Sequence, residues 1–145
     1  MLAKVRSIAV AALLSASCLI ATDLAMAGDP TGQWVMSNGK VTVRVSKCSP
    51  RLCARIVALK EPVDSTGRPK VDKLNPNPSL RKRRLIGLTL ASNLRSAGKD
   101  TWTGSIYNPD DGRTYSASLK LAGRTMKVKG CVGGILCKTQ DFRRR

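Results

Sequence analysis

The 145-residue chain contains no histidine. That excludes a Ser-His-Asp or Cys-His nucleophilic arrangement and removes the commonest nitrogen ligand for a metal. Aromatic residues are scarce, with two Trp, two Tyr and one Phe. That is too few for the stacked platform on which single-stranded nucleic acid is held, so nucleic acid is not an expected partner. Acidic residues are scarce as well: nine Asp and Glu face 26 Lys and Arg, a formal net charge of +17. Such a surplus keeps a protein dispersed and draws it toward polyanions without specifying a fold. Beyond the first 27 residues there is no long apolar run, and no segment sustains a helical period for three turns. Neither a membrane-spanning segment in the mature chain nor a helical bundle is expected.

What is present begins at the N-terminus. Met1 to Arg6 carries Lys4 and Arg6, Ile8 to Leu14 is apolar, and Ala25-Met26-Ala27 precedes Gly28. A basic start, an apolar stretch and a small-x-small site read as a secretory signal peptide over residues 1–27, leaving one periplasmic domain over residues 28–145. The apolar stretch is interrupted by Ser15 and Ser17 and falls short of the roughly 20 residues a spanning helix needs. The minor alternative is a lipoprotein anchored through Cys18 in Leu14-Ser15-Ala16-Ser17-Cys18; the apolar Leu19-Ile20-Ala21 that follows argues against it. The remaining cysteines, Cys48, Cys53, Cys131 and Cys137, form an even set of the kind that reads as two disulfides in an exported small domain. Three pairings are open, and the short spacings favour Cys48–Cys53 and Cys131–Cys137. Zinc fits poorly, because C-x4-C and C-x5-C miss the usual knuckle spacing; no metal and no cofactor is expected.

The rest reads as strands and turns. Val41, Val43 and Val45 alternate with Thr42, Arg44 and Ser46; Trp102, Gly104 and Ile106 with Thr103, Ser105 and Tyr107; and Tyr115, Ala117, Leu119 and Leu121 with Ser116, Ser118 and Lys120. Leu52 to Leu59 is a β-capable apolar run, and Leu85 to Ala91 is expected as a strand with Ile86, Leu88 and Leu90 on one face. Turn chemistry at Ser37-Asn38-Gly39, Asn108-Pro109-Asp110-Asp111-Gly112, Gly123 and Gly133-Gly134 separates the runs. About eight short strands with close turns predict an all-β, antiparallel up-and-down barrel, closed so that no sheet edge is left open. Glu61 to Arg84 is the exception. It holds five Pro or Gly residues and no apolar period, and is expected as an ordered loop over one barrel mouth.

These motifs resemble a bacterial secreted family catalogued as domain of unknown function 2147. The resemblance runs through Gly32-Gln33-Trp34, Cys48, Leu52-Cys53-Ala54-Arg55-Ile56-Val57, Asp72-Lys73-Leu74-Asn75-Pro76, Leu80-Arg81, Arg83 and Ile86-Gly87-Leu88. It continues through Trp102 to Tyr115 and ends at Met126-Lys127-Val128-Lys129-Gly130-Cys131. It implies a lipocalin-like barrel and no agreed activity. Three positions depart from the family's pattern: Ala54 and Ser105 stand where Gly is usual, and Phe142 where Trp is usual.

No catalytic residue is expected. Asp110 and Asp111 read as turn formers, because Asp side chains bond nearby backbone, and a carboxylate-based hydrolase is the weakest reading. A binding protein fits better. An eight-stranded barrel either encloses one small ligand or is filled by its own side chains. The reading favours an apolar small molecule in the barrel, with Trp34 plugging one end and Trp102, Tyr107, Asp72, Asn75, Arg81 and Arg83 as candidate mouth residues. The alternative is a structural or interaction protein whose basic surface meets an anionic envelope lipid or polymer, or an acidic protein partner. Arg81, Lys82, Arg83 and Arg84, together with Arg143, Arg144 and Arg145, are its candidate anion contacts.

Overall fold

The computed structural model describes residues 28–145. The signal-peptide and Cys18 readings fall on residues 1–27, outside the described residues. The chain forms eight strands: β1 Gly32–Met36, β2 Val41–Cys48, β3 Arg51–Leu59, β4 Thr89–Ser96, β5 Thr101–Asn108, β6 Arg113–Ala122, β7 Thr125–Val132 and β8 Leu136–Arg144. Each pairs antiparallel with its neighbours in sequence, and β8 returns to β1 to close the barrel.

The period-two pattern places the core. Val43 and Val45 on β2, Leu52, Ala54 and Ile56 on β3, and Ala117, Leu119 and Leu121 on β6 all point inward and are buried. Trp34 and Leu94 expose 0% of their surface and Val45 and Met126 1%. A side chain that a water-sized sphere cannot reach has no void of that size against it, so around these residues the barrel is filled with its own side chains, not hollow.

One expected strand is corrected. Leu85 to Ala91 does not form a continuous strand, because β4 begins only at Thr89. Gly87 turns the chain at φ +95°, Ile86 faces solvent and Leu88 is buried. Gly87 and Leu88 still meet β3 through backbone bonds to Ile56.

Antiparallel alternation sorts the connections into two ends. The β1–β2, β3–β4, β5–β6 and β7–β8 connections share one end, called here the loop end. The other three share the closed end with residues 28–31. At the closed end the Trp34 indole donates to the Pro30 carbonyl at 2.8 Å, and the Arg144 guanidinium lies 4.4 Å from the indole ring centre. Arg144 also donates to the carbonyls of Thr31 and Asp29, at 2.8 and 2.6 Å. Trp34 is therefore the end plug that its position suggested. Both disulfides form with the favoured pairing, Cys48–Cys53 and Cys131–Cys137.

Candidate functional site

The loop between β3 and β4 is ordered around one buried carboxylate. Asp72 exposes 0% of its surface. Its Oδ1 accepts from the Tyr107 hydroxyl at 2.6 Å, and its Oδ2 accepts from Asn75 Nδ2 at 2.8 Å and from Arg83 Nε and Nη2, both at 2.9 Å. Burial pushes the Asp72 carboxyl up. The hydrogen bonds from Tyr107, Asn75 and Arg83, with the charge of Arg83, outweigh that and hold it below the ordinary carboxylate value. Burial, followed by the hydrogen bond to Asp72, pushes the Tyr107 phenol up. Asn75 also donates to the Tyr107 oxygen at 3.1 Å, and Arg81 Nε donates to the Asn75 carbonyl at 2.7 Å.

Local sequence explains how the loop reaches this state. Asn75 Oδ1 accepts from the Asn77 amide, and Asn77 caps the single 3-10 turn Pro78–Leu80 by accepting from Ser79. Bridges Val63 to Pro69 and Val71 to Arg84 fold the rest back on itself. Gly112, at φ +70°, lets the β5–β6 turn press against the loop: a Cβ there would lie 2.0 Å from the Leu74 carbonyl oxygen.

Tyr107 decides where the cluster lies. On β5 Trp102 points into the core, so by alternation Gly104 and Ile106 do too, while Thr103, Ser105 and Tyr107 point outward. The Asp72 cluster therefore sits on the outer wall near the loop end, not across a mouth. The structure brings Tyr107, Asp72, Asn75, Arg81 and Arg83 together, on the wall and not at a mouth. Trp102 does not join them: it is buried in the core toward the closed end, five residues along β5 from Tyr107, or about 17 Å at the rise of a strand.

Beside the cluster the barrel wall has a seam. β4 and β5 pair only at Arg95–Thr103 and Ser96–Trp102. Ala91 and Leu94 both face inward, three apart, and the β3–β4 register slips there, a bulge that swings the first half of β4 away from β5. A side chain bridges the opening. Asn93 Oδ1 accepts from the Ser105 amide at 3.0 Å, and its Nδ2 donates to the Ser105 hydroxyl at 2.7 Å. The result is an open surface groove of about 220 Å³ between the β4 segment Thr89–Asn93 and Ser105, Tyr107 and Thr114. Sequence reasoning missed Asn93 and Ser105. The available signal was Gly104, where a Cβ would lie 2.8 Å from Asn93 Oδ1 and 3.0 Å from its carbonyl oxygen.

The departures from the family pattern are accommodated. Ala54 is a core residue, Phe142 packs in the core beside Met126, and Ser105 supplies the hydroxyl that Asn93 engages. Asp110 and Asp111 lie in the turn as expected. The Asp111 carboxylate accepts from the Arg113 amide and the Tyr115 hydroxyl.

The two basic runs are separated. Arg81–Arg84 lies at the loop end and Arg143–Arg145 at the closed end, so they cannot form one patch. Within them Arg81, Arg83 and Arg144 hold neighbouring groups, and Lys82, Arg84, Arg143 and Arg145 are exposed. No group of three or more potential metal ligands occurs among the described residues, and no helix among them is long and apolar enough to cross a membrane.

A family model described as an uncharacterized protein conserved in bacteria, DUF2147, matches residues 32–144. Among solved structures, protein HP1028 from the human pathogen Helicobacter pylori, described as belonging to the lipocalin family, aligns with a TM-score of 0.69 and 25% identity. The alignment covers 81% of this chain and 83% of that one. No curated protein matches.

Proposed function

The chain belongs to the DUF2147 family of uncharacterised bacterial proteins, and from that premise we propose that it is a small-molecule-binding protein, not an enzyme, with its site at the β4–β5 seam. The lipocalin-like fold supports binding of a small molecule. The barrel is filled around Trp34, Val45, Leu94 and Met126, in its closed half; we take the wall seam as the site in place of the lumen, and a polar or amphipathic ligand in place of the apolar one. The observation that carries the reading is the lapse of strand pairing beyond Thr103, propped open by Asn93 and Ser105. It leaves backbone donors and acceptors of two strands facing one groove, beside the Tyr107 ring and the Thr114 side chain. At about 220 Å³ the groove suits a ligand smaller than those held in typical drug-sized pockets. Asp72, fully enclosed and tied to four donors, is out of reach of a substrate and acts as a fixed support.

Native mass spectrometry of protein isolated from its own cell tests this. Wild type is expected to retain a small molecule, and Thr114→Trp, which fills the groove from an exposed strand position, is expected to lose it. Equal retention by both would place the ligand elsewhere.

A second reading, contact with an anionic envelope component, is favoured by the distribution of charge. Residues 60–84 carry eight Lys and Arg against three acids, one of them the buried Asp72. Export to the periplasm, with removal of residues 1–27, belongs to the same proposal; two disulfides suit an oxidising compartment.

A further inference from the structure

Exposed apolar side chains are not scattered over this barrel. Among the described residues, every large hydrophobic side chain that is more than a third exposed lies on the β3–β4 connection, between Val63 and Ile86, or on the β7–β8 hairpin at Val132, Ile135 and Leu136. Both belong to the loop end. The hairpin tip is the extreme case, with Ile135 87% and Leu136 75% exposed. The tip is also built to project. Gly133 and Gly134 turn it at φ +59° and +70°, and the Cys131–Cys137 disulfide clamps the directly paired residues at its base. β1 ends at Met36, so the β8 segment 136–140 has no β1 residue beside it and every residue in it is exposed. Lys129 and Lys138 flank the tip in sequence, and the exposed Arg68, Lys73, Arg81, Lys82 and Arg84 alternate along the long connection with its exposed aliphatics.

We propose that the loop end docks on a bilayer containing anionic lipid, with Ile135 and Leu136 inserted among the acyl chains and the surrounding cations on the headgroups. This rests on the anionic-surface reading and goes beyond it by adding an apolar anchor. A lipid surface fits these residues better than a protein partner. The exposed aliphatics belong to two separate connections and are interspersed along the chain with exposed cations, and a fluid interface can envelop each side chain while neutralising its neighbours, without a preformed complementary pocket.

The test is sedimentation of the mature protein with vesicles of phosphatidylcholine, with and without about one-third phosphatidylglycerol. Wild type is expected to bind the anionic vesicles and not the neutral ones. Ile135→Ser with Leu136→Ser, at positions that touch no core, should weaken binding by about tenfold or more, given the apolar area removed. Lys82→Ser with Arg84→Ser should weaken it by roughly fivefold per cation at low salt. In a separate variant, Ile135→Trp, indole emission should shift to the blue on anionic vesicles. Binding that depends on the cations but not on Ile135 and Leu136, with no blue shift, overturns the insertion proposal and leaves the charge reading standing. No binding to anionic vesicles, or recovery of a stable complex with an acidic protein in its place, overturns both.

A second observation stands independently at the closed end. The Gly28 nitrogen lies 2.6 Å from Asp100 Oδ1. Asp100 is the sole non-glycine residue at positive φ (+56°) among the described residues, and a Cβ on Gly28 would lie 2.6 Å from Leu121 Cδ2. Because Gly28 directly follows Ala25-Met26-Ala27, we infer that Asp100 receives the α-ammonium that hydrolysis of the Ala27–Gly28 bond would create. Cleavage would turn an amide hydrogen bond into an ion pair; this inference rests on the export proposal. The test compares chains beginning at Gly28 with a free or an acetylated amine. Asp100→Asn is suitable because Asn tolerates the left-handed conformation. It should lower the Tm of the free-amine chain by several degrees near pH 6. That difference should disappear on acetylation, and as the pH rises past the α-amino range of about 8. An equal loss in the acetylated chain, or a native N-terminus elsewhere by mass spectrometry, overturns it.

Discussion

Arg83 and Arg144 each sit inside a run of cations, and each is tied down in a different way. Arg83 pairs with a carboxylate that has no exposed surface, across a loop otherwise held by turns and isolated bridges. Arg144 stacks on Trp34 and donates to two carbonyls at an end already closed by strand pairing. The loop end depends on one buried charge, whereas the closed end spreads its hold over neutral acceptors and an aromatic face. Losing a partner should therefore cost the loop end more.

The largest effect is expected for Asp72→Ala. It leaves Tyr107, Asn75 and Arg83 facing a buried gap and should destabilise by about 3 kcal/mol, toward the low end for a broken buried pair because Arg83 is partly exposed. Urea unfolding measures it, with faster proteolysis expected between residues 61 and 88. Arg83→Gln should cost about 2 kcal/mol for the same reason, and Arg144→Gln about 1–2 kcal/mol from a cation–π contact and two hydrogen bonds. A larger loss at Arg144 than at Arg83 would break the comparison. The pH dependence sharpens it. The folded Asp72 carboxyl lies below its ordinary value of 3.8, so its stabilisation is present above that value and is lost as the pH falls through the lower folded value. Melting curves from pH 5 downward should fall more steeply for wild type than for Asp72→Asn. Smallest is Lys82→Ser with Arg84→Ser, which should change stability by less than about 0.5 kcal/mol, since both are exposed.

Much of the barrel was legible because period-two alternation directly encodes inward and outward positions, as at Val43 and Val45 or Leu119 and Leu121. The disulfide pairing was legible from spacing, and Asn75, Arg81 and Arg83 from their motif. The bulge in β4 was hidden, because Ala91 and Leu94 are both apolar and their spacing of three mimics no strand. Trp102 was misplaced because proximity to Tyr107 in sequence says nothing of facing or of end, and on a strand five residues separate opposite faces. The different duties of Arg83 and its neighbours in Arg81-Lys82-Arg83-Arg84 were hidden too, since four cations in a row look alike until Asp72 selects one.

The seam is tested most directly by hydrogen exchange at the Tyr107 amide. By alternation this amide points the same way as that of Ser105, toward β4, where strand pairing has lapsed. In ligand-free protein it should exchange far faster than the neighbouring Ile106 amide, and the retained small molecule should slow it. Strong protection of Tyr107 in the ligand-free protein, equal to that of Ile106, would mean that the wall is closed there and would contradict the account.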